Sequence, residues 1–288
     1  MSNDEITRRD FVSMAVVAGV TAATSHGSAQ QQVVETNVDI KTAAGTCDAA
    51  FIHPTTGSHA GVLIWPDAFG LRPSMRDIAT RLAGEGYSVL VPNPFYRVAK
   101  APLFENASKF NFGDPAQRSK LAPLMGSINA AGAAEADAAA FIAWLDAQRQ
   151  VDRARKIGTQ GYCMGGPLVV RTAAAVPDRV GAGASFHGGG LATANANSPH
   201  LLAPKIKARM YIAIAANDDA QQPDAKTKLK EAFDAAKVPA EIEVYSQAQH
   251  GWCVPDMPMQ PNGQPIYSKP DADRAWSKLL ALYKAALV

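Results

Sequence analysis

The segment Gly161-Tyr162-Cys163-Met164-Gly165-Gly166 constrains this chain more than any other stretch. Arg155 to Gln160 leads into it and reads as a strand, and Leu168 to Ala175 leaves it and reads as a helix. The turn between them must be very tight. A side chain at 161 or 165 would crowd the backbone, so glycine stands there, and Cys163 is held up at the carboxyl end of the strand. The free N–H groups and dipole of the following helix favour negative charge on its sulfur. A buried structural cysteine is the plainer alternative for this residue type. The glycine spacing and the strand–turn–helix setting favour a nucleophile, with the amide of Met164 offered to an oxyanion.

The rest of the chain repeats the same rhythm. Val33 to Ile40 and Cys47 to His53 read as two strands around Gly45, an antiparallel edge. Ala60 to Trp65 (AGVLIW) is nearly unbroken apolar sequence, which suits a strand covered on both faces. Pro73 to Gly84 has helical spacing, with Ile78, Leu82 and Ala83 inward and Arg76, Asp77, Arg81 and Glu85 toward water. Tyr87 to Val91 is the next strand, and Ala130 to Arg149 an alanine-rich helix with Phe141, Ile142 and Leu145 inward. Strands follow at Arg179 to Ser185, Arg209 to Ala215 and Glu241 to Tyr245, with helices at Pro223 to Lys237 and Asp271 to Leu287. Such alternation implies an α/β fold with a mostly parallel central sheet and helices on both faces. Asn93 to Leu124, His187 to Pro204 and Cys253 to Pro270 read as irregular stretches that border the site beyond the strand carboxyl ends.

The first residues read differently. Arg8 and Arg9 in Thr7-Arg8-Arg9-Asp10-Phe11-Val12 precede a short apolar stretch, and Gly27, Ser28 and Ala29 offer small residues for cleavage before Gln30. This pattern resembles a bacterial twin-arginine export signal, with an ordinary secretory signal as the alternative. The expectation is therefore an export signal over 1–29 and a single domain over 30–288, the mature form periplasmic or secreted without a membrane span, and the precursor a client of the twin-arginine machinery. With Lys plus Arg 28 against Asp plus Glu 26, the formal charge of +2 points away from a nucleic-acid partner. Three cysteines exclude a disulfide-dense scaffold; Cys47 and Cys253 could pair outside the cytosol, and Cys163 lacks a CxxC partner for redox work.

Several segments together resemble the dienelactone hydrolase family: WPDAFGLRPSMRDIATRLAGEGYSVLVPNPFYR, GYCMGG, SFHGGG with SPH beyond it, AANDD and HGWCVPD, in that order from about residue 47 to the C-terminus. The resemblance implies an α/β-hydrolase fold, and its strand–turn–helix with a cysteine corresponds to the nucleophile elbow that usually carries serine. It implies hydrolysis of a small-molecule lactone or carboxylic ester by a Cys, Asp, His triad. On this chain the nucleophile is then Cys163, the base His250 and the orienting acid Asp218, with Asp219 adjacent as an alternative. His250 follows a strand near the end of the chain, and an imidazole of ordinary pKa near ~6.5 suits proton exchange near neutrality. The resemblance places the oxyanion donors at the amides of Met164 and Ala68. It places Asp67 where the family has a glutamate that assists the cysteine, and Arg97 where the family has an arginine that holds a substrate carboxylate. A second such arginine is replaced here by Val254. His187, in His187-Gly188-Gly189-Gly190, is a further candidate for the pocket, and His200 a weaker one. An HGGG oxyanion motif would precede the nucleophile, so that reading of 187–190 fails on order. No HExxH motif and no nicotinamide fingerprint occurs, so neither metal nor cofactor is expected. The alternative function is a non-catalytic binding or accessory protein on the same fold.

Overall fold

The computed structural model describes residues 31–288, so the expected export segment lies outside the described residues. Eight strands form one sheet: β1 (Val33–Thr42), β2 (Gly45–Pro54), β3 (Ala60–Trp65), β4 (Tyr87–Pro92), β5 (Ile157–Tyr162), β6 (Val180–Phe186), β7 (Arg209–Ala215) and β8 (Ala240–Tyr245). Their order across the sheet is β1-β2-β4-β3-β5-β6-β7-β8. The β1–β2 hairpin pairs antiparallel with itself and with β4, and every other pairing is parallel. This is the mostly parallel sheet that the alternation of elements implies.

Among the described residues seven α-helices accompany the sheet: α1 (Pro73–Gly84), α2 (Pro115–Asn129), α3 (Ala133–Asp146), α4 (Gly165–Ala175), α5 (Ala216–Gln221), α6 (Ala225–Ala235) and α7 (Lys269–Ala286). α1 and α7 cover one face and meet where the Arg81 guanidinium lies over the Trp276 ring, 4.2 Å from its centroid. α3 packs against α4 on the other face. The sheet centre is sealed between these layers: every residue of β3, β4 and β5 is buried. Each aliphatic side chain removed from water there stabilises the fold by ~1.5–3 kcal/mol, and cutting Leu63 back to alanine would cost about 2–5 kcal/mol.

The helix α1 starts with Pro73 in its first turn, and the chain turns away at Gly86, whose φ of +93° few other residues would adopt. The stretch from Asn93 to Leu124, expected to be irregular, instead contains most of α2. That helix is announced by local chemistry more than by periodicity. The Asp114 carboxylate accepts from the Ala116 amide at 2.9 Å, and Pro115 opens the first turn. Pro123 sits inside the helix, where it removes one backbone donor, and the apolar residues of α2 do not form a clear stripe. α3 begins at Ala133, three residues later than expected, because Gly132 sits in a left-handed conformation, φ +75°, at its cap.

Candidate active site

The turn after β5 has the geometry its sequence requires. Cys163 has φ +52°, a left-handed conformation that costs a non-glycine residue ~1–2 kcal/mol. Its amide donates to the Phe186 carbonyl at 3.0 Å and to Nδ1 of His187 at 3.1 Å, which ties the strained residue to the end of β6. The glycines on either side are dictated by contact. A Cβ on Gly161 would lie 2.2 Å from the Gly165 carbonyl oxygen, and one on Gly165 would lie 2.3 Å from that of Trp65. The start of α4 therefore presses directly on the end of β3, beside the turn that carries Asp67 and Ala68. That turn is closed by the Gly70 amide donating to the Asp67 carbonyl at 3.0 Å. Among the described residues, the amides of Met164 and Ala68 donate to no protein group; Met164 lines the same cleft as Cys163, and Ala68, next to Asp67 in sequence, is buried.

His250 comes from the loop after β8. Its amide donates to Oδ1 of Asn217 at 2.8 Å, and its Nδ1 lies 2.8 and 3.0 Å from the two carboxylate oxygens of Asp218. Asp219 turns away and binds Lys226 Nζ at 2.6 and 2.7 Å. The geometry thus separates the two adjacent aspartates, and the acid facing the imidazole is Asp218. Burial opposes a charge on His250, but its hydrogen bonds to Asp218 and to Cys163 outweigh it, and the imidazole is pushed up to about 10. Cys163, Met164 and His250 share one cleft of about 380 Å³, whose other walls include Met125, Pro167, Arg171 and Thr193.

The other candidates fall elsewhere. Asp67 is fully buried and does not line this cleft. Arg72 grips it through two bonds, Nη1 to Oδ1 at 2.7 Å and Nη2 to Oδ2 at 3.0 Å, and the Phe69 amide donates to Oδ1 at 2.9 Å. The same guanidinium binds both oxygens of Asp256 at 2.7 Å. Burial pushes the Asp67 carboxyl up despite Arg72. For Asp256 burial acts the same way, but the hydrogen bonds of Arg72 prevail and hold it below the usual carboxylate range. Asp67 is therefore occupied in ordering its loop.

Arg97 is also spent. It forms a forked pair with Asp137 at 2.7 and 2.8 Å and stacks on Tyr96, away from the cleft. Val254 is fully buried. His187 is fully buried as well and does not line the cleft; its ring packs edge-on against that of His250, 4.8 Å between centroids. Burial and the neighbouring His250 hold it well below its ordinary pKa, so it is a neutral imidazole. Its Nδ1 accepts from Cys163, while Nε2 has no partner. His200 bonds Ser198 at 2.8 Å and does not line the cleft. The cysteines are all free: Cys47 lies against the carbonyls of Asp48 and Asn93, and Cys253 lines a separate apolar cavity with Tyr162 and Phe186. The sequence reading passed over Asn217, Arg72 with Asp256, and Arg171. Asn217 adjoins Asp218 in sequence, which is the one local signal it gives.

The model of the dienelactone hydrolase family matches residues 47–287. The carboxymethylenebutenolidase of Rhodococcus opacus is 26% identical over 215 residues, covering 72% of this chain and 77% of its own. Hydrolase tropI of Talaromyces stipitatus is 26% identical over 209 residues, covering 70% and 73%. Among solved structures, the dienelactone hydrolase-like promiscuous phosphotriesterase from metagenomic libraries superposes with a TM-score of 0.72 at 23% identity, over 89% of this chain and 99% of its own, a likeness of fold. A cysteine at the crest of β5, an imidazole–carboxylate pair from the last two strands and a family match over nearly the whole described chain lead to one conclusion: this chain belongs to the dienelactone hydrolase family, hydrolases of the lactone and ester type.

Proposed function

We propose that this protein hydrolyses a carboxylic ester or lactone through a thioester on Cys163. The observation that carries the reading is His250, held by Asp218 on Nδ1 and influenced by Cys163 in the same cleft. In the first half-reaction the Cys163 thiolate attacks the carbonyl carbon and a C–S bond forms. The negative oxygen is received by the amides of Met164 and Ala68. Collapse breaks the C–O bond, and the departing alkoxide takes its proton from the His250 imidazolium. In a lactone the leaving hydroxyl stays attached to the acyl group. A water then gives a proton to His250 and attacks the thioester, the C–S bond breaks, and the acid leaves with the thiolate restored. Asp218 fixes the tautomer that points Nε2 at the reacting atoms.

The test is hydrolysis of a panel of lactones and p-nitrophenyl esters with and without alkylation of Cys163 by iodoacetamide. Turnover that disappears with stoichiometric labelling of Cys163, and a trapped acyl-enzyme detected by mass spectrometry, are the expected results. Full activity after complete labelling would refute the covalent route. We further propose, from the paired arginines at Arg8 and Arg9 alone, that the chain is exported and matures at Gln30. N-terminal sequencing of protein from a periplasmic fraction checks this, and a cytoplasmic protein that begins near Met1 would overturn it.

A further inference from the structure

Resting on the ester-hydrolase reading above, the geometry points to the substrate class: an uncharged ester or lactone with an extended arm that ends in a neutral hydrogen-bonding group, selected by the pair Arg171–Glu135. Arg171 lies on α4 one turn beyond Pro167, and both face the catalytic cleft. At ~1.5 Å rise per residue it stands about 6 Å past Pro167 and on the order of 10 Å beyond the nucleophile. A group that meets it must therefore be carried on an arm of that reach.

The charge balance of the cleft decides what that group is. The charged side chains lining the cleft, among the described residues, are His250 and Arg171. His250 is turned toward Asp218. Arg171 donates Nη1 to Oε1 of Glu135 at 2.9 Å and Nη2 to the Asn197 carbonyl at 3.0 Å, and it is about a quarter exposed, at 23%. Arg97 is bound to Asp137 outside the cleft, and residue 254 is a buried valine. A carboxylate arriving at Arg171 meets Glu135 beside it, so it gives up hydration without finding an unpaired cation. A neutral amide or hydroxyl has no such conflict. The guanidinium keeps N–H groups to donate, the Glu135 carboxylate accepts, and Asn129 and Asn197 stand beside them with groups of both kinds. Those two asparagines and Arg171 also form the wall shared with a side chamber of about 170 Å³, so the ion pair stands between the two cavities. Methionine and proline side chains, Met125, Met164, Pro167 and Pro199, line the way and suit an apolar stem.

The experiment compares two p-nitrophenyl esters of suberic acid, the far end left as a carboxylate in one and converted to a primary amide in the other. For the unaltered protein kcat/KM is expected to favour the amide arm by roughly tenfold. Glu135→Gln releases the guanidinium and should shrink that ratio by raising kcat/KM for the carboxylate arm. Arg171→Gln leaves Glu135 facing the arm and should widen it. A preference of the unaltered protein for the carboxylate arm, or a ratio that neither substitution moves, overturns the proposal. Affinities of the same two esters for Cys163→Ala, measured by calorimetry, report the arm preference without chemistry. Absent turnover then counts against the hydrolase reading, while equal affinities count against this one.

Discussion

Two carboxylate–cation assemblies stand at the carboxyl edge of this sheet, and they are built in opposite ways. Around His250 the partners are few: Asp218 holds the Nδ1 side of the imidazole, and the ring opens on a cleft. Around Arg72 the guanidinium is fully buried and shared between Asp67 and Asp256, with the Phe69 and Ala107 amides adding donors to the two carboxylates. The first arrangement is open to the cleft on one side; the second is closed on itself. Position 67 is where the family places an acid that assists its cysteine, yet here the side chain is committed to a structural knot. In the proposed mechanism, activation of the Cys163 thiol would then fall to His250 and to the amino end of α4.

The sharpest way to break this comparison is to neutralise one acid in each assembly. Asp218→Asn should lower kcat by about 10³–10⁴, because the imidazole loses the partner that sets its tautomer. Asp67→Asn should leave kcat within roughly tenfold, an effect confined to the placement of the Ala68 amide. Steady-state kinetics on one ester decides it; similar losses in the two variants would mean that Asp67 also acts in the chemistry.

The next effect is on stability. Arg72→Ala leaves two carboxylates facing each other in the interior and should cost about 3–5 kcal/mol, seen as an earlier midpoint in urea. The sealed assembly is thereby expected to matter more to folding than to turnover.

The smallest effect is the pH dependence of the open assembly. His250 is pushed up to about 10 in the folded chain, from roughly 6.5 when unfolded. Its contribution is therefore complete below the unfolded value and is lost as pH rises through the folded one. His187 has the opposite sign: its depressed pKa makes the fold less stable as pH falls below about 6.5, because the unfolded chain takes the proton more readily. Between neutrality and pH ~10 the His250 part should decline steadily as the folded imidazole loses its proton. Thermal melts of the protein and of His250→Gln across that range isolate it, since lysine and tyrosine titration is common to both.

The sequence made the backbone of this molecule more legible than its polar contacts. Eight strands could be read because their apolar runs are short, strong and separated by glycine and proline; β3 is the clearest, with AGVLIW buried throughout. The elbow could be read because close backbone contacts leave glycine little competition at 161 and 165. α2 could not, since its face carries a weak stripe and a proline. Among the polar candidates, Asp218 and His250 meet as their positions at successive strand ends suggest. The fates of Arg97 and Asp67 were hidden, because they depend on Asp137 and Arg72 reaching the same point in space. Arg72 and Asp256 are 184 residues apart, a separation at which no local pattern reports contact.

The strand order has one more consequence. Cys163 hangs from β5 in the middle of the sheet, whereas Asp218 and His250 follow β7 and β8, the last two strands on one side, and β8 is only partly covered. Fraying of that border would carry the acid and the base away while the centre stays intact. Turnover then becomes a local gauge: loss of activity in mild denaturant, before circular dichroism changes, reports the detachment of the sheet's outer margin and not the collapse of the whole.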